Sequence, residues 1–137
     1  MTDDFPAPEI TELNAPYWDG LKEGLLRVQR CGACDNAWLP ARAECPRCLS
    51  DDWAWREASG RGRLITWTIY HIPYHESFRD RLPYNVAVVE LDEGARLITN
   101  IVNPDDHGGL AIEAPVELAI ETDHDIALAR FRLTDGP

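Results

Sequence analysis

Four cysteines, the only ones in the chain of 137 residues, fall into two pairs: Cys31-Gly32-Ala33-Cys34 and, ten residues further on, Cys45-Pro46-Arg47-Cys48. A two-residue gap lets a tight turn aim both thiolates at one ion. Two such turns, joined by a short hairpin, present four sulfurs as the corners of a tetrahedron. The competing reading is disulfides or free buried thiols. The start of the chain is acidic and carries Pro6 and Pro8, with neither a basic nor an apolar leader segment, so an oxidised framework is not expected. An all-sulfur tetrahedron suits zinc or iron, and Cys-Pro-x-Cys also occurs in rubredoxin-like iron sites. With no other redox apparatus in view, zinc is the expectation. Four thiolates leave no position for water or substrate, so the metal is expected to staple the fold and not to catalyse.

The remaining reactive side chains form no constellation. His71, His75, His107 and His124 are scattered, and Ser59 and Ser77 have no base motif beside them. There is no nucleophile elbow and no phosphate-cradling glycine loop followed by Lys. Gly60-Arg61-Gly62-Arg63 is short and basic; it reads either as a phosphate seat or as a bulged strand entry. The acidic runs Asp51-Asp52, Asp105-Asp106 and Asp123-His124-Asp125 read as solvated turns.

The elements that must hold these residues follow from patterning. Asn14, Pro16 and Gly24 bracket a short helix whose Tyr17, Trp18 and Leu21 share one face, which needs cover from the chain's own barrel or from a partner. Residues 25–30 run as a strand into the first Cys pair, residues 38–40 return to the second, and residues 53–55 make a third strand with Trp53 and Trp55 on one face. From residue 57 onward the pattern is β: strands over 63–71, 84–92, 95–103, 116–122 and 126–133, with turns at Glu93-Gly94 and at residues 123–125. Val86-Ala87-Val88-Val89 is nearly continuous in hydrophobicity, which predicts a strand covered on both faces. The fold class is therefore mainly β. A short N-terminal helix (residues 1–24 with its arm) and a zinc ribbon (25–57) precede a five-stranded OB-type barrel (58–137), although a small sandwich would read similarly.

Charge narrows the partners. The net charge is −11, with a sequence pI near 4.6, which argues against nucleic acid or an anionic membrane as the main partner. The distribution is uneven: residues 1–26 carry −5, residues 27–81 carry +2 and residues 82–137 carry −8. Only the middle third welcomes an anion. No apolar run approaches the ~20 residues of a membrane helix, and a cytoplasmic protein is expected.

The order of these features resembles a family of zinc-ribbon plus OB-fold proteins long known only as a domain of unknown function and associated with acyl-CoA enzymes. The matching stretches are Pro16-Tyr17-Trp18 with Gly24, the two Cys pairs with Leu39-Pro40-Ala41-Arg42 between them, Ser59-Gly60-Arg61-Gly62 with Thr66-Trp67-Thr68, Pro83-Tyr84 leading into Val88-Val89-Glu90-Leu91-Asp92-Glu93-Gly94, Pro115-Val116-Glu117, and Arg130-Phe131. They span nearly the whole chain. Ala41 stands where relatives often carry a second proline, and Glu113-Ala114 where a glycine usually precedes the last Pro-Val.

The resemblance implies a rubredoxin-like ribbon and a non-catalytic accessory subunit in a hetero-oligomer. Its partner would be a thiolase-superfamily enzyme (thiolase or thiolase-like aldolase) or an enoyl-CoA hydratase, acting on acyl-CoA in lipid or steroid metabolism. Expected metal ligands are Cys31, Cys34, Cys45 and Cys48. Expected contacts to acyl-CoA or the partner are Arg61, Arg63, Trp67, Phe78, Arg79, Arg81 and Tyr84, because Arg grips phosphate or carboxylate bidentately and aromatic rings cover acyl chains. Two other classes remain open on residues alone: a single-stranded nucleic-acid module and a rubredoxin-like electron carrier.

Overall fold

The structure is a computed structural model that describes residues 8–72, 76–81, 83–102 and 109–134. Helix α1 (Ala15–Lys22) ends as its sequence predicts: Gly24 takes φ 84°, Leu25 N–H reaches the Gly20 carbonyl at 2.8 Å, and Gly24 N–H the Leu21 carbonyl at 3.1 Å. This paired closure needs a left-handed residue after the last turn, which glycine occupies without steric cost. At the other end Asn14 is the N-cap by position only. Its amide turns back to the Thr11 N–H and the Glu9 carbonyl, and no helix N–H receives it. Leu21 is buried while Tyr17 and Trp18 are partly buried against the core, their rings edge to face at 4.9 Å. The chain's own core thus covers this face.

Three strands form the ribbon: β1 (Arg27–Cys31), β2 (Ala37–Trp38) and β3 (Trp53–Glu57), in the order β2-β1-β3. Trp53 and Trp55 share a face and meet edge to face at 6.2 Å, as alternation along a strand requires. The barrel sheet contains β4 (Arg61–Tyr70), β5 (Tyr84–Leu91), β6 (Arg96–Thr99), β7 (Pro115–Leu118) and β10 (Phe131–Leu133), in the order β10-β7-β4-β5-β6. A parallel bridge between Ile101 and Phe131 closes it: Phe131 N–H gives to the Asn100 carbonyl at 3.1 Å, and Val102 N–H to the Phe131 carbonyl at 2.9 Å. A five-stranded barrel with one parallel seam is the OB arrangement.

The last hairpin differs from two unbroken strands. Leu118 pairs with Phe131, Ala119 N–H gives to the Arg130 carbonyl, and β8 (Glu121–Asp123) pairs with β9 (Ile126–Leu128) in the same register. It is one long bent hairpin whose tip leaves the barrel sheet. His124 and Asp125 turn it with positive φ. The expectation of β5 covered on both faces is corrected: burial alternates strictly, with Asn85, Ala87, Val89 and Leu91 inside and Val86 and Val88 half-exposed. The sheet's other face has no layer of this chain's described residues over it. The loop after β4 contains a 3-10 turn, Glu76–Arg81. Pro73, His75, Asp105, Asp106 and His107 lie outside the described residues, as do the side chains of Ser77 and Phe78.

Leu26 and Val28 of the ribbon side, Leu21 of the helix and Leu64, Val89, Leu91, Val116 and Phe131 of the barrel belong to one buried cluster. The ribbon is therefore bolted to the barrel by shared apolar burial, the main driving force available to so small a unit. Buried Asn85 reinforces the closure of the barrel: its Nδ2 gives to the Ile101 carbonyl at 2.9 Å and its Oδ1 accepts the Ile101 N–H at 2.7 Å. At Gly62, any Cβ would press into the carbonyl of Glu90 on β5, so the two strands approach as closely as they do only around glycine.

Candidate metal centre

The two Cys turns are built alike, fourteen residues apart. Cys31 N–H gives to the Asn36 carbonyl and Cys45 N–H to the Ser50 carbonyl, both at 2.8 Å. Asp35 N–H closes on the Cys31 carbonyl at 3.0 Å and Leu49 N–H on the Cys45 carbonyl at 2.8 Å. Each turn ends in a left-handed residue, Asp35 (φ 67°) and Leu49 (φ 65°). Inside each turn, N–H groups point at the leading sulfur: Ala33 and Cys34 at Cys31 Sγ (3.3 and 3.4 Å), Arg47 and Cys48 at Cys45 Sγ (3.4 and 3.5 Å). Asn36 Nδ2 adds a contact to Cys45 Sγ at 3.7 Å.

The four Sγ atoms lie within 4.8 Å of one another, with Cys31–Cys48 at 3.5 Å and Cys34–Cys45 at 3.6 Å. Sulfurs about 2.3 Å from a tetrahedral zinc stand roughly 3.8 Å apart, while a disulfide needs about 2.05 Å. The donor set therefore fits a single tetrahedral ion and leaves no disulfide. Burial alone would raise the Cys45 thiol, but N–H donation from Cys48 and Arg47 prevails and brings it down to about 6. The Cys31 thiol is lowered chiefly by the Cys34 N–H. The leading thiol of each turn thus favours thiolate, the form a metal takes. Cys34 and Cys48 move the other way: main-chain donation from Asn36 and Ser50 lowers them, but burial and the neighbouring sulfurs prevail and raise both, Cys48 to about 12.

Gln29 holds the segment between the turns. It is fully buried on β1, gives Nε2–H to the Arg42 carbonyl at 2.8 Å and accepts the Arg42 N–H on Oε1 at 2.8 Å. Trp53 Nε1 gives to the Ala43 carbonyl at 2.7 Å, and Trp38 is buried against Cys31 and Cys45. The first turn is also braced by Arg30, whose bidentate grip on Asp35 (2.8 and 3.3 Å) holds that carboxyl below its ordinary range.

The other residues singled out by sequence lie apart from the metal turns and do not converge on one site. Arg63 is held by Glu90 (Nε 3.1 Å, NH2 2.6 Å) and by Glu113; Arg79 by Glu76 (2.7 and 3.0 Å); Arg81 by Asp123 (2.6 and 3.0 Å). Trp67 packs partly buried on the core, and Tyr84 stands edge to face with Tyr70 at 5.3 Å. Arg61 alone of the set's arginines makes no ion pair among the described residues. It lines a cleft of about 450 Å³ with Leu25, Leu26, Glu57, Ser59 and Glu117, where helix end, ribbon and barrel meet. The phosphate seat at residues 60–63 is not built: the Ser59 N–H is taken by Glu93 Oε2 and the Arg61 N–H by Ser59 Oγ, so the basic stretch is a strand entry.

One hub escaped the sequence reading. Asp123 accepts from Arg81, from Arg130 (3.2 Å) and from His124 (2.7 Å), and is brought down to about 2, first by Arg81. It ties the 76–81 turn to the bent hairpin. Read along the chain, Asp123 is only one acid in a polar turn.

Residues 18–54 match the family described as "ChsH2, rubredoxin-like zinc ribbon domain", and residues 55–121 match "ChsH2, C-terminal OB-fold domain". A probable enoyl-CoA hydratase alpha subunit of Thermomonospora curvata is 40% identical over 130 residues, which are 93% of this chain and 39% of that protein. The chain thus spans about two fifths of that relative. A DUF35 domain-containing scaffold protein of Methanocaldococcus jannaschii is 32% identical over 102 residues, 71% of this chain and 72% of that one. Among solved structures, one described as "Ltp2-ChsH2(DUF35) aldolase" superposes with a TM-score of 0.79 at 38% identity, covering 93% of this chain and 98% of its own. No described helix is long and apolar enough to cross a membrane. With its double Cys turn, closed barrel and matched domains, the chain belongs to the DUF35 family, as a ChsH2-type zinc ribbon joined to an OB-fold domain.

Proposed function

We propose that the chain is a non-catalytic accessory subunit of an acyl-CoA enzyme of the thiolase superfamily, a thiolase or thiolase-like aldolase, or of an enoyl-CoA hydratase. The observation that carries this reading is the architecture itself: a four-thiolate staple fused through one core to an OB barrel. The 38%-identical aldolase structure and the archaeal relative described as a scaffold protein support it. The metal is zinc. When bound it draws the two Cys turns together, and Cys31, Cys34, Cys45 and Cys48 would hold it while Gln29 and Arg30 orient the turns.

Arg61, beside its cleft, is the first candidate to meet a CoA phosphate or a partner carboxylate. Arg63, Arg79 and Arg81 offer a second line. Exposed ion pairs are worth about 1 kcal/mol or less, so Arg63 and Arg79 can exchange their present carboxylates for a partner's; Trp67 and Tyr84 are the aromatic candidates on the barrel, with Phe78 in the 76–81 turn a further candidate whose side chain lies outside the described residues. The test reconstitutes the enzyme subunit with and without this chain and measures acyl-CoA turnover. Turnover that needs the chain, and that falls with Arg61→Ala, Arg63→Ala and Arg79→Ala combined, is expected. Equal turnover and equal partner binding with the triple variant would remove these residues from the role. Full turnover without the chain would remove the role itself.

A further inference from the structure

The outer face of the β4–β5–β6 sheet carries two rows without charge. Thr66, Val88 and Ile98 stand side by side in one, Thr68 and Val86 in the next; beyond them Arg63, Glu90 and Arg96 form an ion-paired row. Ile98 is 75% exposed. Among the described residues the edge of this sheet is open as well. Leu91 N–H gives to the Ala95 carbonyl at 2.8 Å, and the register then pairs Val89 with Leu97 and Ala87 with Thr99. In an antiparallel ladder, alternate residues face alternate neighbours. Ala95, Leu97 and Thr99 therefore turn their main-chain groups toward β5, and Arg96, Ile98 and Asn100 turn theirs away. At Asn100 the outward carbonyl is used by Phe131 N–H in the barrel seam. At Arg96 and Ile98 no main-chain partner exists among the described residues, because the chain before β10 is committed to its hairpin with β7 and β8.

We propose that this edge of β6 receives an extended strand from the enzyme subunit, so that the barrel sheet continues into the partner; the inference rests on the accessory-subunit reading above. The chemistry of the edge specifies the occupant. Outward N–H and C=O groups two residues apart are complementary to extended backbone, and Ile98 with Val88 gives the incoming strand an apolar neighbour on the outer face. β6 has no proline, no lysine and no bulge; its protections are its length of four residues and one charge, Arg96, which Glu90 neutralises at 3.0 Å. The occupant is a different chain and not a second copy. Each copy carries −11, with −8 in residues 82–137, so self-pairing brings like fields together, whereas a neutral or basic strand is drawn in.

The test uses zinc-loaded chain and the purified enzyme subunit recovered with it, reconstituted as the complex. Two variants address the edge: Ile98→Pro removes the outward donor without touching the inward ladder, as prolines on edge strands do, and Ile98→Lys keeps the backbone but puts a charge on the apolar row. Both are expected to melt within a few degrees of the parent and to bind the subunit at least about tenfold more weakly. Amide exchange at Arg96 and Ile98 is expected to slow at least about tenfold on complex formation, while Leu97 and Thr99 are protected already in the free chain. Parent-like affinity of both variants, with the Arg96 and Ile98 amides exchanging as fast as in the free chain, overturns the docking site and leaves the accessory role standing. Absence of any complex with the parent chain overturns both. A free-chain dimer that Ile98→Lys dissociates would give the edge to a second copy and overturn the choice of occupant.

Discussion

Gln29 offers the most decisive perturbation of the metal ribbon. It is wholly buried on β1 and makes two 2.8 Å hydrogen bonds to the main chain of Arg42, inside the segment that links the Cys turns. Gln29→Leu keeps the volume but orphans an N–H and a carbonyl. Each costs about 1–3 kcal/mol if water is excluded, and the site is part-buried, so a loss of about 2–4 kcal/mol is expected. If that loss falls on the metal-bound fold, zinc affinity drops roughly 30-fold to 10³-fold, at about 1.4 kcal/mol per decade. Gln29→Glu separates the donor from the volume. A buried carboxylate facing the Arg42 carbonyl favours its protonated form, so its pKa in the folded state rises above the unfolded value of about 4.3. The raised value means that the variant nears the parent at low pH and loses stability as pH rises toward the folded pKa. Urea unfolding of zinc-loaded protein between about pH 5.5 and 7.5, with competition by a chromophoric chelator, reads both quantities. Losses below about 0.5 kcal/mol for Gln29→Leu, with no pH slope for Gln29→Glu, would refute the clamp.

Asn85→Ala should cost about 3 kcal/mol by the same reasoning, because it orphans the Ile101 N–H and carbonyl at the barrel seam; equilibrium unfolding checks it. Leu49→Gly should stabilise by about 0.5–1 kcal/mol: a left-handed non-glycine residue costs about 1–2 kcal/mol, the glycine's added unfolded-state entropy returns part of that, and the Leu49 side chain is 71% exposed. Acid titration should show the Asp123 hub. Its carboxyl is lowered to about 2, so its contribution is present above the unfolded value near 3.9 and is lost as pH falls through that value toward about 2; Asp123→Asn should remove this part of the acid slope. Zinc removal should unfold the ribbon first, with loss of the Trp38–Trp53 edge-to-face contact at 6.4 Å and a change in near-ultraviolet circular dichroism, while the barrel retains its strands.

What was legible along the chain had a local cause. The Cys turns are spelled by spacing, the helix end by Gly24, and the barrel by the run of β-patterned segments. The run 86–89 misled because valine is at home on either face of a strand, and hydrophobicity alone cannot separate a second covering layer from a half-exposed surface. A count of charges alone makes the basic middle third an anion site. Arg63 meets carboxylates 27 and 50 positions away, and Arg81 meets one 42 positions away, so folding brings together partners that no local window contains. Gln29, Asn85 and Asp123 escaped for the same reason: a buried amide or carboxylate is recognised only by the distant main chain or guanidinium it serves.

The central claim is an accessory role, and purification of the tagged chain under gentle conditions from its native host, with quantitative mass spectrometry and metal analysis of what accompanies it, tests that most directly. One zinc per chain and near-equal recovery of a thiolase, a thiolase-like aldolase or an enoyl-CoA hydratase are expected. Recovery of the folded, zinc-loaded chain alone would contradict it.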